Sequence, residues 1–408
     1  MGILTGLKIL DFSTLLPGPF ATMMLADMGA DVVKIEAPNR EDLVKYMGPM
    51  DGEVSAAFGH LNRSKRSLAL DLKQKAAMEI VYKLVQEYDI VIEQFRPGTM
   101  EKLGIGYEKL KEINPRIIFC SVTGYGQTGP LKNRAGHDNN YLSLSGVSSY
   151  SFRKNQAPVP AGIQIADLAG GSMPAVIGIL AAVYHREKTG EGQYIDLSIT
   201  DVVFSLNAMY GSGFLVGGLE PEPESTLLNG GTFYDYYETK DHRYISVGSL
   251  EPQFQQRLCR LIGNENLVKL SSSQSIEDQQ SFKQILNDSF KQKTFDEWLA
   301  ILGNDFDGCV EPVLQFSEAA EHPQIKARNM VISVPNQKGG TQKQIAFPIK
   351  FSTQLPEYRF VGVQTGSHSD NILKEIGFNQ ESIQSLSKKG AFGKRTKANG
   401  GKEYEHSK

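Results

Sequence analysis

Several features that would place this chain in a familiar class are scarce or absent. Its 408 residues include only three cysteines, Cys120, Cys259 and Cys309, whose wide spacing fits neither a disulfide framework nor a zinc site. The 43 basic and 46 acidic residues give a net charge of −3, whereas nucleic-acid-binding proteins usually have a basic excess. The N-terminus lacks the regions of a signal peptide, and no run reaches the roughly 20 apolar residues of a membrane span. We therefore expect a cytoplasmic protein that binds no nucleic acid, no membrane and no metal.

The first third of the sequence contains a regular alternation of strand and helix patterns. Short runs rich in β-branched and aliphatic residues predict strands at 7–12, 31–36, 67–72, 90–93 and 116–122. Helical patterns cover 20–29 and 75–87. This alternation is typical of an α/β fold with a parallel sheet. The first strand–helix turn lacks the G-x-G-x-x-G pattern, so a nicotinamide-binding fingerprint is not supported.

The pattern changes near Asp167 and predicts a second, smaller domain. Long helices at 168–185 and 201–217 precede a Pro/Glu-rich stretch that is typical of a linker. A hairpin pattern at 232–247 and helices at 252–262 and 295–302 then indicate an α+β domain. We predict a large domain at 1–200, a linker helix and crossover at 201–228, a small α+β domain at 229–320, a return to the large domain at 321–385 and a flexible basic tail at 386–408.

One histidine lies where a parallel α/β fold would build its site. His137 belongs to Gly136–Tyr141 (GHDNNY), which follows the turn-rich loop after the strand at 116–122. Loops at the carboxyl ends of parallel strands form the sites of such folds, and an imidazole exchanges protons near neutral pH. His137 is thus either a proton-transfer group or a structural loop histidine.

An aspartate at the start of the long apolar helix is the second candidate. The simplest interpretation of Asp167, in IADLAGG, is the ordinary role of a helix N-cap. At this position the Asp167 carboxylate would lie beside helix N–H groups and a glycine pair, where a ligand can approach the backbone closely. A base or a nucleophile is therefore the alternative.

Charged side chains at other predicted loop ends indicate an anionic ligand. Arg63 and Lys65 in NRSKR precede one strand and Arg96 follows another, so a parallel sheet would present them to phosphates. A solvated surface is the alternative for each of them. Glu251 precedes Pro252 and, taken alone, predicts only a turn or helix cap.

Eight motifs follow one another along the chain. They are LPGPFATMMLADMGADVVKIE, NRSKRSLALDLK, FRPGTMEKLG, TGYGQTGP, AGHDNNYLSLSG, DLAGGSM, VGSLEPQF and DGCVEPVL. Each is weak alone, but the ordered set resembles the family III CoA-transferases, which include α-methylacyl-CoA racemases as well as formyl-CoA and carnitine CoA-transferases. The resemblance covers roughly residues 4–335.

The resemblance implies roles for individual residues. The histidine of GHDNNY and the aspartate of D-x-x-G-G, His137 and Asp167, would form an acid/base pair, and the carboxylates of Asp138 and Glu251 would orient and tune it. The expected CoA contacts are Leu70, Asp71, Leu72, Lys73, Arg96, Gly136, Asn139, Asn140 and Tyr141, with Arg63 and Lys65 as further basic candidates. Racemases often place an arginine before the proline of K-I-E-x-P; here that residue is Ala37, so Arg40 would have to replace it.

The implied reaction is inversion of the α-carbon of a 2-methylacyl-CoA through an enolate, with one group removing the α-proton and the other returning one on the opposite face. CoA is part of the substrate, and no separate cofactor is needed.

In the alternative, a CoA-transferase, Asp167 attacks the thioester. Formyl-CoA transferases have a longer glycine-rich loop than Asn229-Gly230-Gly231. A non-catalytic acyl-CoA binder is the third interpretation.

Two further expectations come from the resemblance. One is the architecture, a large Rossmann-like domain and a smaller α+β domain in an interlocked homodimer. The other is electrostatic: proton transfer by Asp167 requires a raised pKa, which burial would give and a helix N-terminus would oppose. Sequence alone leaves open which effect is larger.

Overall fold

The computed structural model of the chain describes residues 2–393, which form two compact units. The first unit contains the residues up to 141, residues 162–203 and those from 324 onward, and the second contains 142–161 and 204–323. The sequence placed 142–161 in the large domain and began the small domain at 229. The structure assigns 142–161 and 204–228 to the second unit because they bond to it, as when Arg153 pairs with Glu224 and Asp235.

The strands fall into two main sheets and one ribbon. Those of three or more residues are β1 (Lys8–Asp11), β2 (Asp31–Glu36), β3 (Arg66–Ala69), β4 (Ile90–Glu93), β5 (Ile118–Thr123), β6 (Tyr194–Ser198), β7 (Asp235–Glu238), β8 (Tyr244–Val247), β9 (Val310–Pro312), β10 (Val331–Pro335) and β11 (Thr341–Ile345). A short hairpin of Met50–Asp51 and Val54–Ser55 completes the set.

Most helices lie between these strands, and the last two follow the final strand. In chain order, the helices are α1 (Pro17–Asp27), α2 (Ala56–Leu61), α3 (Lys75–Glu87), α4 (Thr99–Lys102), α5 (Tyr107–Ile113), α6 (Asp138–Leu144), α7 (Met173–Thr189), α8 (Ile199–Ser205), α9 (Tyr210–Gly217), α10 (Pro252–Leu261), α11 (Val268–Ser271), α12 (Ile276–Phe290), α13 (Phe295–Leu302), α14 (Phe316–Glu321), α15 (Pro323–Ala327), α16 (Ser369–Glu375) and α17 (Gln380–Lys388). A π-helical turn, Ala166–Ser172, leads directly into α7.

The first unit is built on a six-stranded sheet in the order β3-β2-β1-β4-β5-β6, with every neighbouring pair parallel. Strands buried on both faces consist almost entirely of apolar residues, and β4 is buried along its whole length. Helix α3 packs against the sheet through Ile80, Val81 and Leu84, which are fully buried. The predicted parallel α/β sheet is thus confirmed, and β6 was not anticipated.

The strand order determines where a ligand would bind. From β1 the chain forms β2 and then β3 on one side of β1. It then returns to the other side of β1 to form β4, β5 and β6, so the strand order reverses between β1 and β4. The loops after two such strands separate and leave a crevice at the carboxyl edge of the sheet. The segments that border it here are 12–16 and 94–98.

The second unit has a three-stranded antiparallel sheet, in the order β9-β8-β7, packed against helices. Its core is aromatic and includes Phe282, Phe290 and Trp298, and the indole N–H of Trp298 donates to the Phe290 carbonyl at 2.9 Å. The predicted hairpin is present, and its turn residue His242 has a left-handed φ of 60°.

One predicted helix differs from the structure, and one predicted tail is largely untested by it. The helix expected at 201–217 is broken into α8 and α9, because the Asn207 side-chain amide donates to the carbonyls of Phe204 and Ser145 and competes with the helix bonds. The tail predicted at 386–408 lies mostly outside the described residues, and its first residues, through Lys388, belong to α17.

One described helix has the dimensions of a membrane span. Residues Ala166–Thr189 are long and apolar enough by length and composition, although 44% of the most apolar stretch is buried within the protein. The bent pair α8 and α9 meets the same criteria when taken together. Core helices of soluble proteins also meet them, so the expectation that the chain binds no membrane stays a prediction.

Candidate functional site

Two cavities meet where the strand order reverses. One, of about 270 Å³, contains His137 and Asp167 in its wall and is called here the catalytic cavity. The other, of about 470 Å³, contains Arg40 and is called the nucleotide-side cavity. They share four lining residues from the segments after β1 and β4: Leu15, Gln94, Phe95 and Arg96. An elongated ligand could therefore extend from one cavity into the other.

The loop before α6 presents an exposed histidine to the catalytic cavity. The Asn140 side chain accepts a hydrogen bond from the His137 N–H at 3.0 Å, and the Asn140 N–H donates to the His137 carbonyl at 2.8 Å. The Tyr141 hydroxyl donates to the Gly136 carbonyl at 2.6 Å. Asn140 thus fixes the backbone of His137, and its expected contact with CoA stays a prediction. Asn139 is an exposed residue of α6.

Aromatic packing explains the glycine before His137. The rings of Tyr125 and Tyr141 meet edge to face, with centroids 5.4 Å apart. A Cβ atom on Gly136 would lie 2.7 Å from the Tyr125 hydroxyl and 2.7 Å from the Tyr141 ring. Only glycine therefore lets the loop lie against both rings and direct His137 into the cavity.

Asp167 is not the helix N-cap that the sequence first indicated. It lies in the first turn of the π-helical segment, whose N-cap is Ile165. Single π-helical turns frequently occur at functional sites. A Cβ on Gly170 would lie 2.7 Å from a methyl of Val203, so the segment packs closely against α8. The Ser172 hydroxyl donates to the carbonyls of Pro17 and Asp167.

The environment of Asp167 raises its pKa above that of an ordinary aspartate. Burial, then the neighbouring Asp138 carboxylate, raise the pKa of Asp167 to about 6, whereas His137 lowers it. The Asp138 carboxylate accepts a hydrogen bond from the Asp167 N–H at 3.0 Å, which occupies one of the helix-end donors. Burial and Asp138 therefore shift the pKa of Asp167 upward, in the direction that acid/base chemistry requires.

The nucleotide-side cavity contains part of the predicted CoA-binding set. Arg40, Leu72 and Arg96 line it, whereas Lys73 is exposed nearby and its N–H donates to the partly exposed Asp71 carboxylate. Leu70 is fully buried in the core of the first unit, so its side chain is closed to a ligand. The predicted replacement of the missing arginine at position 37 by Arg40 stays a prediction.

Two predicted anion contacts are internal ion pairs instead. The Arg63 guanidinium lies 2.6 Å from the Asp27 carboxylate, and the Lys65 ammonium lies 3.3 Å from that of Asp11. Arg63 and Lys65 are each 1% exposed, because the turn after α2 passes through the interior. Neither side chain is presented to a ligand, and we do not retain them as CoA contacts.

Glu251 belongs to the second unit. It occupies the N-cap position of α10, but its side chain makes no capping hydrogen bond and is exposed. Glu251 is therefore the helix N-cap through its backbone position, without a side-chain bond to the helix.

Several lining residues were not anticipated. Lys132 and Arg134 line the catalytic cavity, and Gln94, which accepts a hydrogen bond from the Gly18 N–H at 2.9 Å, lines both cavities. Gln94 follows β4 directly, so its place after a predicted strand was a usable signal. Among residues 2–393, no group of three or more His, Cys, Asp or Glu side chains is arranged to hold a metal ion.

Comparison with known proteins gives consistent matches over nearly the whole chain. The sequence model described as CoA-transferase family III matches residues 4–369. An acyl-CoA transferase of Fusarium pseudograminearum is 35% identical, covering 94% of this chain and 86% of its own. The human alpha-methylacyl-CoA racemase is also 35% identical, covering 94% of this chain and 96% of its own. The crystal structure of a CAIB/BAIF family protein from Brucella suis superposes with a TM-score of 0.81 at 30% identity, covering 92% of this chain and 100% of that one.

Proposed function

Because the chain belongs to CoA-transferase family III, we propose that it is a racemase that inverts the α-carbon of 2-methylacyl-CoA thioesters. The observation that carries this proposal is the presence of two proton-transfer groups, His137 and Asp167, in the wall of one cavity. Transferase chemistry through Asp167 requires no histidine at position 137, whereas inversion by two groups requires both.

The proposed step is a 1,1-proton transfer. One of the pair removes the α-proton of the thioester, leaving an enolate, and the other delivers a proton to the opposite face of the same carbon. The raised pKa of Asp167, about 6, supports this assignment, because a carboxyl group can then hold a proton near neutral pH. Arg96, Lys132 and Arg134 line the same cavity, and their positive potential would favour the enolate.

The adjoining cavity is the proposed location of the nucleotide end of the substrate. Arg40 and Arg96 would contact phosphates, and the pantetheine arm would pass Leu15 and Gln94 into the catalytic cavity. CoA is then part of the substrate, and the inversion needs no additional cofactor.

A transferase is the second candidate. It is favoured by the accessibility of the half-buried Asp167 carboxylate in the cavity and by the relative that is named an acyl-CoA transferase. In this reaction the carboxylate attacks the acyl thioester, CoA leaves as a thiolate and an acyl-aspartyl anhydride forms. The ionised carboxylate is required, so the raised pKa is a disadvantage for this chemistry.

We further propose that the functional form is an interlocked homodimer. Leu215, Val216 and Leu219, at the end of α9 and just after it, are 74%, 92% and 73% exposed. Several large apolar side chains this exposed within five residues are consistent with cover by a partner. Sedimentation velocity should give a dimer whose unfolding midpoint rises with protein concentration. A folded monomer at all concentrations would contradict the proposal.

Proton NMR in D₂O tests the proposed reaction directly. Purified protein is mixed with (R)-2-methylacyl-CoA, alone and with excess oxalate or succinate. Loss of the α-proton signal together with appearance of the S epimer, without a new thioester, is the expected result. A new acyl-CoA made from the added acid, with the α-proton retained, would identify a transferase and make Asp167 its nucleophile. No change in either sample would leave only a binding role.

A further inference from the structure

The turn between β1 and α1 has an unfavourable backbone conformation at the wall between the two cavities. Leu15 has a φ of 62°, in the left-handed region that residues with a side chain seldom adopt. Such a conformation persists only where the surrounding structure holds it, and it is concentrated at functional sites. Leu15 lines both the catalytic and the nucleotide-side cavity.

Two buried charged side chains hold this turn, one at Leu15 and the other two residues before it. The Lys34 ammonium donates to the Ser13 carbonyl at 2.7 Å. The Asp42 carboxylate accepts from the Leu15 N–H at 3.1 Å and lies 3.8 Å from the Lys34 ammonium. Both side chains are 2% exposed. The pair therefore fixes the backbone immediately before and at the strained residue.

A buried ion pair is not needed for stability at such a place. Well-packed apolar residues of similar volume are often as stable as a buried pair, because burying two charges carries a desolvation penalty. What apolar residues cannot supply is a donor for Ser13 and an acceptor for Leu15. Lys34 and Asp42 also line the nucleotide-side cavity, so the pair lies directly beside the proposed path of the ligand.

We propose that Lys34 and Asp42 are positioning residues that hold Leu15 in its left-handed conformation and thereby set the passage from the nucleotide-side cavity to His137 and Asp167. This inference rests on the proposed function, because it assigns the passage to the pantetheine arm of CoA. The pair acts through the turn and takes no part in proton transfer.

The test is the double variant Lys34→Met/Asp42→Asn, which leaves no unpaired buried charge and removes the donor to the Ser13 carbonyl, while the amide oxygen at position 42 can still accept from the Leu15 N–H. Calorimetric titration with free CoA should show an affinity loss of about tenfold, the effect of losing one hydrogen bond to a charged group. KM for α-proton exchange should rise similarly. The matched control is Arg186→Met/Asp89→Asn, which removes a 2.8 Å pair of the same unit that lines neither cavity. The control should change the unfolding midpoint at most, and leave CoA affinity and KM at the wild-type values.

A folded Lys34→Met/Asp42→Asn protein with wild-type CoA affinity and KM would overturn the inference. Should that variant not fold, the loss of unfolding free energy caused by Lys34→Met is measured with and without Leu15→Gly. Removing Lys34 lets a strained leucine turn relax and offsets part of the loss, whereas glycine adopts a positive φ without strain and has none to release, so the loss should be larger in the Leu15→Gly background; equal losses would overturn the inference. Wild-type protein that binds no CoA would contradict the proposed function. The stability comparison would still test whether Lys34 holds Leu15 in its left-handed conformation.

Discussion

Two aspartates at the carboxyl edge of the same sheet have opposite electrostatic environments. Asp11, at the end of β1, is fully buried, and the Lys65 ammonium lies 3.3 Å from it. Burial alone would raise the pKa of Asp11, but Lys65 and Lys34, together with hydrogen bonds from Ser13 and Thr22, outweigh it and lower the pKa to about 2. Asp167 is less buried, yet burial and Asp138 raise its pKa to about 6.

The difference separates a carboxylate that maintains the fold from one that is suited to chemistry. Buried ammonium groups and hydrogen bonds keep Asp11 ionised at every pH well above 2. Among the described residues Asp167 forms no ion pair with an ammonium or guanidinium group, and His137 is the group that lowers its pKa. A carboxyl group without compensation can gain and lose a proton near neutral pH, which is the requirement for acid/base catalysis.

The largest expected effect is on the rate of inversion. His137→Ala and Asp167→Ala should each lower kcat for α-proton exchange by about 10³-fold, within the range that general acid–base groups supply. Free CoA should still bind each variant with nearly wild-type affinity, because neither side chain lines the nucleotide-side cavity. Rates come from NMR in D₂O and affinities from calorimetry.

His185→Ala is the matched control, because His185 is an exposed histidine of α7 outside both cavities. It should retain the wild-type rate. Full activity of His137→Ala would remove the two-base mechanism and, with it, the distinction between the two aspartates.

Removing the compensation of Asp11 should affect stability rather than chemistry. Lys65→Met leaves a buried carboxylate without its partner, which typically lowers the free energy of unfolding by about 3–5 kcal/mol. Urea denaturation at pH 7 measures the change. The exposed pair of Lys109 and Glu112 offers the control, since Lys109→Met should leave the urea midpoint close to that of the wild type. A Lys65→Met protein as stable as the wild type would mean that Asp11 needs no compensation.

These two environments also show what could be read from the sequence. Helix 75–87 and strand 90–93 were predicted with the observed bounds, because each buries a regular apolar pattern that local spacing reveals. His137 and Asp167 were identified from motifs at loop and helix starts. The internal pairing of Arg63 and Lys65 was not, because their partners Asp27 and Asp11 are 36 and 54 residues away. The break at Asn207 was missed for the same reason, since it depends on a bond to Ser145.

The pH dependence of the rate should distinguish the two reactions of Asp167. Inversion in either direction needs one proton shared between His137 and Asp167, and the two directions differ only in which group holds it. Both directions should therefore show the same bell-shaped profile of kcat/KM, falling about tenfold per pH unit on each side. A transferase needs only the ionised carboxylate, so its profile would fall below about pH 6 and stay level above it. Initial rates from pH 4.5 to 9.5 decide between these profiles.

The smallest expected effect is a gain in stability. A carboxyl group whose pKa is raised from 3.8 to about 6 on folding binds more protons in the folded state between these values, so stability falls as pH rises through this range. Asp11 has the opposite sign: its contribution is present above about pH 4 and is lost as pH falls toward 2. Asp167→Asn removes the ionisable group and should be more stable than the wild type at pH 7 by about 1 kcal/mol, after allowance for solvent screening of a partly exposed group.

The measurement is the free energy of unfolding in urea at several pH values from 4 to 7, for the wild type and Asp167→Asn. Glu93, whose pKa burial raises to about 7, adds a decline over the same range in both proteins, so only the difference between the two curves is informative. That difference should be near zero at pH 4 and grow until about pH 6. If it were constant with pH, the gain would come from packing, and Asp167 would not carry the uncompensated charge that sets it apart from Asp11.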